Sequence, residues 1–373
     1  MIKVSQGYIG EEELAAVREV LASGYFGHGP KVVEFENALK AYLGAPNVVA
    51  VSTGTAALHL ALDALGIGLG DEVIVPSLTY VASFQAISAT RAVPVACEID
   101  LETLQVNLAD MEHRITSRTK ALMPVHYAGA TCDLDGLRRI AEHYRLRVVE
   151  DAAHAFGGTY NDRKIGSFGD VSCFSFDSIK NITCGEGGAV VCQDGNLAER
   201  VRQKRHLGTK SLLSETTRGM AFVAVTQGFR YHMSSINAAI GVEQLRKVEH
   251  FLTRRRNICR RYDSAFGSIE CLRTLPADYR AAAPHVYVVR VLHGQRDALM
   301  QSLRDGGIES GLNYVPVHLH PHFQLVGATL PATEQAYREI VTLPLHCSLS
   351  DDDVERVIGA VRSFFDQAAE RVA

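Results

Sequence analysis

The 373-residue sequence lacks three features that mark particular classes of protein. Although 21% of its residues are charged and its formal net charge is −4, it has no long run of like charges, which excludes a nucleic-acid stripe and a membrane-surface helix. No apolar run approaches the roughly 20 residues of a membrane span. None of its eight cysteines forms the CxxC pair of zinc and redox sites. We therefore expect its partner to be a small molecule held in a pocket.

The N-terminal stretch MIKVSQGYIGEEELAAV has charges and glycines where a secretory signal peptide would need an apolar segment. The scattered cysteines are typical of reduced, mostly buried thiols. Both features predict a cytoplasmic protein.

Short apolar runs alternate with amphipathic helical patterns between about residues 47 and 194. The predicted strands are NVVAV, EVIVPS, VPVACEID, ALMPVHY, RVVED, DVSCFSF and GAVVCQ. Helical patterns such as TAALHLALDALG and DLDGLRRIAEHY lie between several of them. This order favours an α/β fold with a mostly parallel sheet covered by helices on both faces. Ligands of such sheets bind at the carboxyl ends of the strands.

A second region begins with the long helical stretch SSINAAIGVEQLRKVEHFLTRRRNICRRYDSAF. A predicted strand HVYVVRV, a helix RDALMQSLRDGG and a final helix running from SDDDVERV to the last residue follow it. Since a chain of this length usually exceeds one core, we expect a large domain of residues 1–245 and a smaller C-terminal α+β domain of residues 246–373.

Lys180 lies in the most informative stretch, DVSCFSFDSIKNITCGEGGAVV, between the end of a predicted strand and a glycine-rich turn. A lysine held there, out of bulk water, has a lowered pKa, and only its neutral amine attacks a carbonyl. By itself the position is more typical of an ordinary exposed loop lysine.

Asp151 ends the predicted strand RVVED and His154 follows it closely. A carboxylate at a strand end can pair with a protonated pyridine nitrogen, which keeps the ring able to accept electrons. The alternative for Asp151 is a helix N-cap. His154 could donate to a ring hydroxyl, or it could be an ordinary half-buried histidine.

The segment AVSTGTAALHLALDALG places Thr55 and Ala56 at the start of a predicted helix. Free amides and the positive end of the helix dipole favour a phosphate group there, although such turns are also plain caps. Ser175 is a second candidate phosphate donor. Tyr80, after the strand EVIVPS, could stack on a planar cofactor or belong to the core.

Taken together, these segments resemble the DegT/StrS type of pyridoxal-phosphate (PLP) dependent sugar aminotransferases, which have the fold type I aminotransferase architecture. The matching motifs span nearly the whole chain and include GYFGHGPKVVEFE, STGTAALHLAL, GDEVIVPSLTYVAS, VEDAAHAFGG, FSFDSIKNITCGEGGAVV, GFRYHMSSINAAIGVEQL, YVPVHLHPHF and LPLHCSL.

The resemblance implies that Lys180 binds PLP covalently and, once displaced, acts as the general acid and base. It implies that Asp151 pairs with the pyridine nitrogen, that His154 lies near the phenolic oxygen where the family often has glutamine, and that Tyr80 stacks on the ring. Thr55, Ala56 and Ser175 would hold the phosphate.

The resemblance also implies a homodimer with shared active sites, in which Arg230 of the partner subunit contacts the cofactor phosphate. The sequence departs from the family there, because GFRYHMS has Arg230 and His232 where the family commonly has asparagine and arginine. Arginine can still bind a phosphate group through two hydrogen bonds. Asp177 likewise stands where the family usually has histidine.

For substrates, the resemblance implies a nucleotide-linked keto-sugar and glutamate, giving an amino-deoxy sugar for surface polysaccharide or natural-product glycosylation. Segments that tend to line the sugar site contain Tyr25, His28, Asn313, His318 and His320. No metal is predicted, since Pro321 interrupts the strand that would align the histidines of HLHPH.

Two other functions stay open at this point. One is a PLP-dependent sugar dehydratase on the same fold, in which relatives often replace the lysine with histidine; the presence of Lys180 favours transamination. The other is a non-catalytic regulator, but no DNA-binding segment is recognisable.

Overall fold

The structure is a computed structural model that describes residues 1–212, 221–323 and 329–370. Within these ranges the helices are α1 (Glu11–Ser23), α2 (Pro30–Leu43), α3 (Gly54–Ala64), α4 (Ala82–Ala89), α5 (Leu108–His113), α6 (Leu134–Tyr144), α7 (Gly195–Lys204), α8 (Ser235–Phe266), α9 (Arg296–Asp305), α10 (Pro331–Glu339) and α11 (Asp351–Glu370). Short 3₁₀ turns lie at Tyr127–Gly129 and Val317–Leu319.

The strands form four sheets within the same ranges. They are β1 (Asn47–Val51), β2 (Glu72–Pro76), β3 (Val93–Cys97), β4 (Thr119–Leu122), β5 (Arg147–Asp151), β6 (Thr159–Tyr160), β7 (Arg163–Lys164), β8 (Val171–Ser175), β9 (Gly188–Cys192), β10 (Thr209–Leu212), β11 (Ala221–Ala224), β12 (Leu272–Thr274), β13 (Tyr287–Val291) and β14 (Ile340–Leu343).

The main sheet has seven strands in the order β1-β9-β8-β5-β4-β2-β3. β9 is antiparallel to both of its neighbours, whereas the other four pairings are parallel. Each strand predicted in this region is present, which confirms the mostly parallel sheet. The carboxyl ends of the six parallel strands therefore meet at one edge.

Helices cover both faces of this sheet, as alternate residues of β1 show. Val48 and Ala50 pack in a core with α2 and the first half of α8, whereas Val49 and Val51 pack in a second core with α3, α4 and α7. Burial on both faces explains why β8 and β9 are continuous apolar or small-residue runs with no polar alternation.

The C-terminal region is built on a three-stranded antiparallel sheet, β12-β13-β14, packed against the end of α8 and against α9 and α11. Residue 245, the predicted domain boundary, lies inside α8, and Ile2 packs in the C-terminal core. The division into residues 1–245 and 246–373 stays a prediction. The predicted final helix is present as α11, and residues 371–373 of that prediction lie outside the described residues. None of the helices described is both long and apolar enough to cross a membrane.

Candidate active site

A cavity of about 400 Å³ opens at the carboxyl edge of the main sheet. Its wall brings together residues from β5, β8, the start of α3 and the segment between α9 and α10. Seven of the residues predicted from the sequence line it, namely Thr55, Tyr80, Asp151, His154, Ser175, Lys180 and Asn313.

Lys180 reaches this cavity from the turn that follows β8. Its backbone N–H donates to the carbonyl oxygen of Asp177 (3.1 Å), which shapes the turn. Burial lowers the pKa of the Lys180 amine from the usual 10.5 to about 8, while the carboxylates of Asp151 and Asp177 act in the opposite direction. A substantial fraction of the amine is therefore neutral near physiological pH.

Asp151 is the last residue of β5 and is only 6% exposed. Its Oδ2 accepts a hydrogen bond from the Ser83 hydroxyl (2.7 Å), which is itself within 2.8 Å of the Thr79 hydroxyl. Its Oδ1 accepts from the backbone N–H of Ala153 (3.2 Å). Within the described ranges, no lysine or arginine forms an ion pair with this carboxylate. The Lys180 amine of the same cavity acts on it through charge alone. A buried carboxyl group that lines a cavity without a direct ion pair suits a positively charged ligand atom.

His154 lies beside Asp151 and is 5% exposed. Its Nε2 is 2.9 Å from the hydroxyl oxygen of Tyr314, and its Nδ1 is buried without a hydrogen-bond partner among the described residues. Burial, reinforced by the Lys180 charge, holds the pKa of this imidazole well below its ordinary value. A neutral ring with one uncommitted nitrogen is thus available to a ligand.

The start of α3 forms the opposite wall. Thr53 is the N-cap, and its hydroxyl accepts the N–H of Ala56 (3.0 Å). A Cβ on Gly54 would lie 2.7 Å from the Ser175 Cβ, so glycine is what allows the helix to start against β8. The hydroxyls of Thr55 and Ser175 consequently face one cavity at the positive end of α3.

Tyr80 lies at the mouth of the cavity, with its side chain 59% exposed. Its ring centroid is 5.6 Å from that of Tyr314. Asn313 also lines the cavity, and its Oδ1 accepts from the Thr342 hydroxyl (2.8 Å).

Six of the predicted residues do not line this cavity in one copy of the chain: Ala56, Tyr25, His28, Arg230, His318 and His320.

Ala56 is buried, and its N–H is the one bound by Thr53. Tyr25 is 60% exposed and lies in a groove between α1 and α2. The predicted roles of these two residues stay predictions.

His28 and Arg230 lie next to His206, away from the cavity. His28 Nε2 is 2.9 Å from the buried guanidinium of Arg205, and its ring meets that of His206 edge-on with 4.6 Å between centroids. Arg230 is exposed and pairs with His206 through the backbone.

The histidines of HLHPH do not share a partner. His318 is buried with its Nδ1 2.7 Å from the Ser77 hydroxyl, whereas His320 Nε2 is 3.2 Å from the Val315 carbonyl oxygen. Across the described residues, no group of three or more histidine, cysteine or acidic side chains is arranged to hold a metal ion.

Three residues at the site were missed by the sequence reasoning, namely Ser83, His285 and Tyr314. Ser83 binds Asp151, Tyr314 binds His154, and His285 Nε2 is 3.4 Å from the Lys180 amine. Ser83 and Tyr314 each lie in a motif of the family resemblance, GDEVIVPSLTYVAS and YVPVHLHPHF, whereas His285 lies in none.

The strand order and the contents of this cavity are those of a fold type I, PLP-dependent aminotransferase. The model of the DegT/DnrJ/EryC1/StrS aminotransferase family matches residues 7–362, and the chain belongs to that family. It is a PLP-dependent sugar aminotransferase, which confirms the predicted fold class, enzyme class and cofactor.

Solved structures agree with this assignment. Aminotransferase TlmJ from Streptoalloteichus hindustanus is 37% identical, with a TM-score of 0.93 over 99% of this chain and 100% of that one. Spr1654 from Streptococcus pneumoniae in its PLP form is 31% identical, with a TM-score of 0.92 over 98% of each chain. Sugar aminotransferase CalS13 from Micromonospora echinospora is 32% identical, with a TM-score of 0.91 over 97% of this chain and 100% of that one.

The residues that line the cavity suit PLP by their own chemistry. Asp151 is a buried carboxylate that forms no ion pair among the described residues, His154 has a buried nitrogen without a hydrogen-bond partner among them, and Lys180 is a partly neutral amine. The hydroxyls of Thr55 in α3 and of Ser175 at the end of β8 complete a set of donors suited to a phosphate group.

Proposed function

We propose that this enzyme moves an amino group from glutamate onto a nucleotide-linked keto-sugar and so makes an amino-deoxy sugar for surface polysaccharide or natural-product glycosylation. The observation that carries the proposal is the shared cavity of Lys180 and Asp151, in a chain of the sugar aminotransferase family. The presence of Lys180 favours this reaction over dehydration of the sugar.

Lys180 is the proposed covalent attachment point of PLP and the proton carrier at the reacting carbon. When bound, PLP supplies a ring that accepts electrons from that carbon. Because the pKa of Lys180 is about 8, the released amine can both accept a proton and give it back near neutral pH.

Asp151 is proposed to hold the pyridine nitrogen in its protonated state. The Ser83 hydroxyl and the Ala153 N–H both donate to the carboxylate and so fix its direction. His154 is proposed to donate from Nδ1 to the phenolic oxygen. If the Tyr314 hydroxyl donates to Nε2, the ring hydrogen must lie on Nδ1, which is the nitrogen left without a partner.

Thr55 and Ser175 are proposed to bind the phosphate together with free amides at the start of α3. Ala56 can join them only by sharing the N–H that Thr53 accepts. Tyr80 is proposed to stack on the ring from the open side, where its exposed side chain is free to move.

We also propose a cytoplasmic homodimer in which Arg230 of the partner subunit reaches the phosphate. Exposed apolar side chains support the proposal that a second copy of the chain binds. They are Phe222 and Val225, in and just after β11, and Leu21 and Phe26, near the end of α1.

Tyr25, His28, Asn313, His318 and His320 are retained as proposed sugar-site residues. For those outside the cavity of their own chain, the role would require contact through the assembly or movement of the segment that carries them.

The function is tested by converting the purified enzyme to its aminated cofactor form with glutamate and mixing it with a panel of keto-sugar nucleotides. The keto-sugar nucleotide that causes loss of the absorbance of the aminated cofactor is the acceptor. Release of 2-oxoglutarate in the first step shows that glutamate is the donor. A Lys180→Ala variant is the matched control and should give neither signal at a comparable rate. Absence of 2-oxoglutarate with the unaltered enzyme would refute the proposal.

A further inference from the structure

His285 is a buried histidine that touches the working lysine without lining the cavity. It precedes β13, on the C-terminal sheet, and is 3% exposed. Its Nε2 is 3.4 Å from the Lys180 amine, and its ring centroid is 4.3 Å from that of His154. The C-terminal region thus contributes a side chain that contacts the amine and does not line the cavity.

The backbone of His285 is fixed on both sides. Its N–H donates to the carbonyl oxygen of Ala128 (3.4 Å), and its own carbonyl accepts from the buried guanidinium of Arg255 (3.0 Å). These bonds fix the backbone, and the burial of the residue limits rotation of the imidazole away from Lys180.

Within the described ranges, His285 is the side chain that shares a hydrogen bond with the Lys180 amine. The carboxylates of Asp151 and Asp177 act on the amine only through their charge, and both favour the ammonium form. His154 and His285 face it as imidazoles whose own pKa values are lowered well below the ordinary value by burial, with the Lys180 charge acting in the same direction.

The neutral His285 ring can carry its hydrogen on either of its two nitrogens. On Nδ1 it would be a buried N–H with no acceptor, because Nδ1 has no partner among the described residues. On Nε2 it points at the lone pair of a neutral Lys180 amine, and only a lone pair is left unpaired at Nδ1. The second arrangement has the lower cost, and a hydrogen bond to the neutral form of a group favours that form.

We propose that His285 is a positioning residue for Lys180, in which the Nε2–H donates to the amine, fixes its direction and favours its neutral form. Once Lys180 has taken a proton from the substrate, its ammonium either meets the Nε2–H or requires the ring hydrogen to move to Nδ1, where it has no acceptor among the described residues. Either cost disfavours the ammonium at the point where the proton has to be returned to the substrate. The effect on turnover rests on the proposed role of Lys180.

The test measures Lys180 itself. Enzyme loaded directly with pyridoxamine phosphate has a free Lys180 amine, and a small acylating reagent labels it only in the neutral state. Peptide mass spectrometry across a pH series gives the labelling midpoint, which is the pH at which labelling of Lys180 is half-maximal. In His285→Phe we expect the midpoint to rise by about one pH unit, which is about tenfold less neutral amine at a given pH below it. His285→Gln, which keeps an N–H donor, should recover part of the shift.

His346→Phe is the matched control, because His346 is also a buried histidine of the C-terminal region but binds the Lys3 carbonyl oxygen. Its labelling midpoint should equal that of the unaltered enzyme. If His285→Phe does not fold, His285→Leu carries the same comparison.

In turnover, the acid limb of the kcat profile should move to higher pH with the labelling midpoint. A purely structural role would lower kcat by one factor at every pH and leave the midpoint unmoved. An unmoved or lowered midpoint in His285→Phe overturns the inference. A raised midpoint in an enzyme that aminates no keto-sugar would instead refute only the proposed function.

Discussion

Replacement of Lys180 by methionine should abolish amino transfer and, at the same time, stabilise the cofactor-free protein near neutral pH. Since each tenfold change in proton affinity corresponds to about 1.4 kcal/mol, the decrease in the lysine pKa from 10.5 to about 8 costs the charged, folded state about 3 kcal/mol. Methionine has a similar length and no charge, so it removes this cost. We expect a gain of about 2–3 kcal/mol in the free energy of unfolding.

The pH dependence gives this prediction its sign. In the unfolded chain the lysine keeps its proton up to about pH 10.5, whereas in the folded protein it loses the proton near pH 8. Between these values the unfolded state binds more protons, so the stability of the unaltered protein rises with pH. The advantage of Lys180→Met should therefore be complete below pH 8 and vanish above pH 10.5.

The assay is urea unfolding of the unaltered protein and of Lys180→Met, both without cofactor, at about pH 7 and again above pH 10.5. At each pH, the free energy of unfolding of the unaltered protein is subtracted from that of the variant. Lys120→Met is the control, because Lys120 is an exposed residue of β4 with no burial cost to relieve. A difference between Lys180→Met and the unaltered chain that stays constant with pH would refute the reasoning, since it would show that the site does not disfavour the charge.

Two further substitutions probe the cofactor contacts. Ser83→Ala removes a hydrogen bond of 2.7 Å to the Asp151 carboxylate, so we expect the dissociation constant for PLP, measured by fluorescence titration, to rise about tenfold. Ser88→Ala, further along α4, should leave it unchanged, and an equal loss in both would exclude a role for this bond. Gly54→Ala puts a Cβ 2.7 Å from Ser175 and should lower both PLP affinity and stability, the latter by about 1–3 kcal/mol in denaturant unfolding. Gly195→Ala is its control, because Gly195 also begins a helix but has open space around it, and equal effects would contradict the packing argument.

The sequence by itself determined the part of the site whose residues follow strand ends. Asp151 ends β5, Ser175 ends β8, and Thr55 follows β1 by a short turn. Because parallel strands bring their carboxyl ends to one edge, predicting the strands also predicted that these side chains meet. The family motifs then predicted Lys180 as the reacting amine and correctly predicted the cofactor.

Only the tertiary structure decided what holds those residues in their working states. Ser83 reaches Asp151 across 68 positions, His285 reaches Lys180 across 105, and Tyr314 reaches His154 across 160. The local sequence around Ser83, His285 and Tyr314 predicts only a helix, a strand or a loop. Hydrophobic periodicity specifies which face of such an element is buried, but not which distant side chain lies against it. The lowered proton affinity of Lys180 has the same origin, because desolvation depends on the packing of several distant elements around one amine.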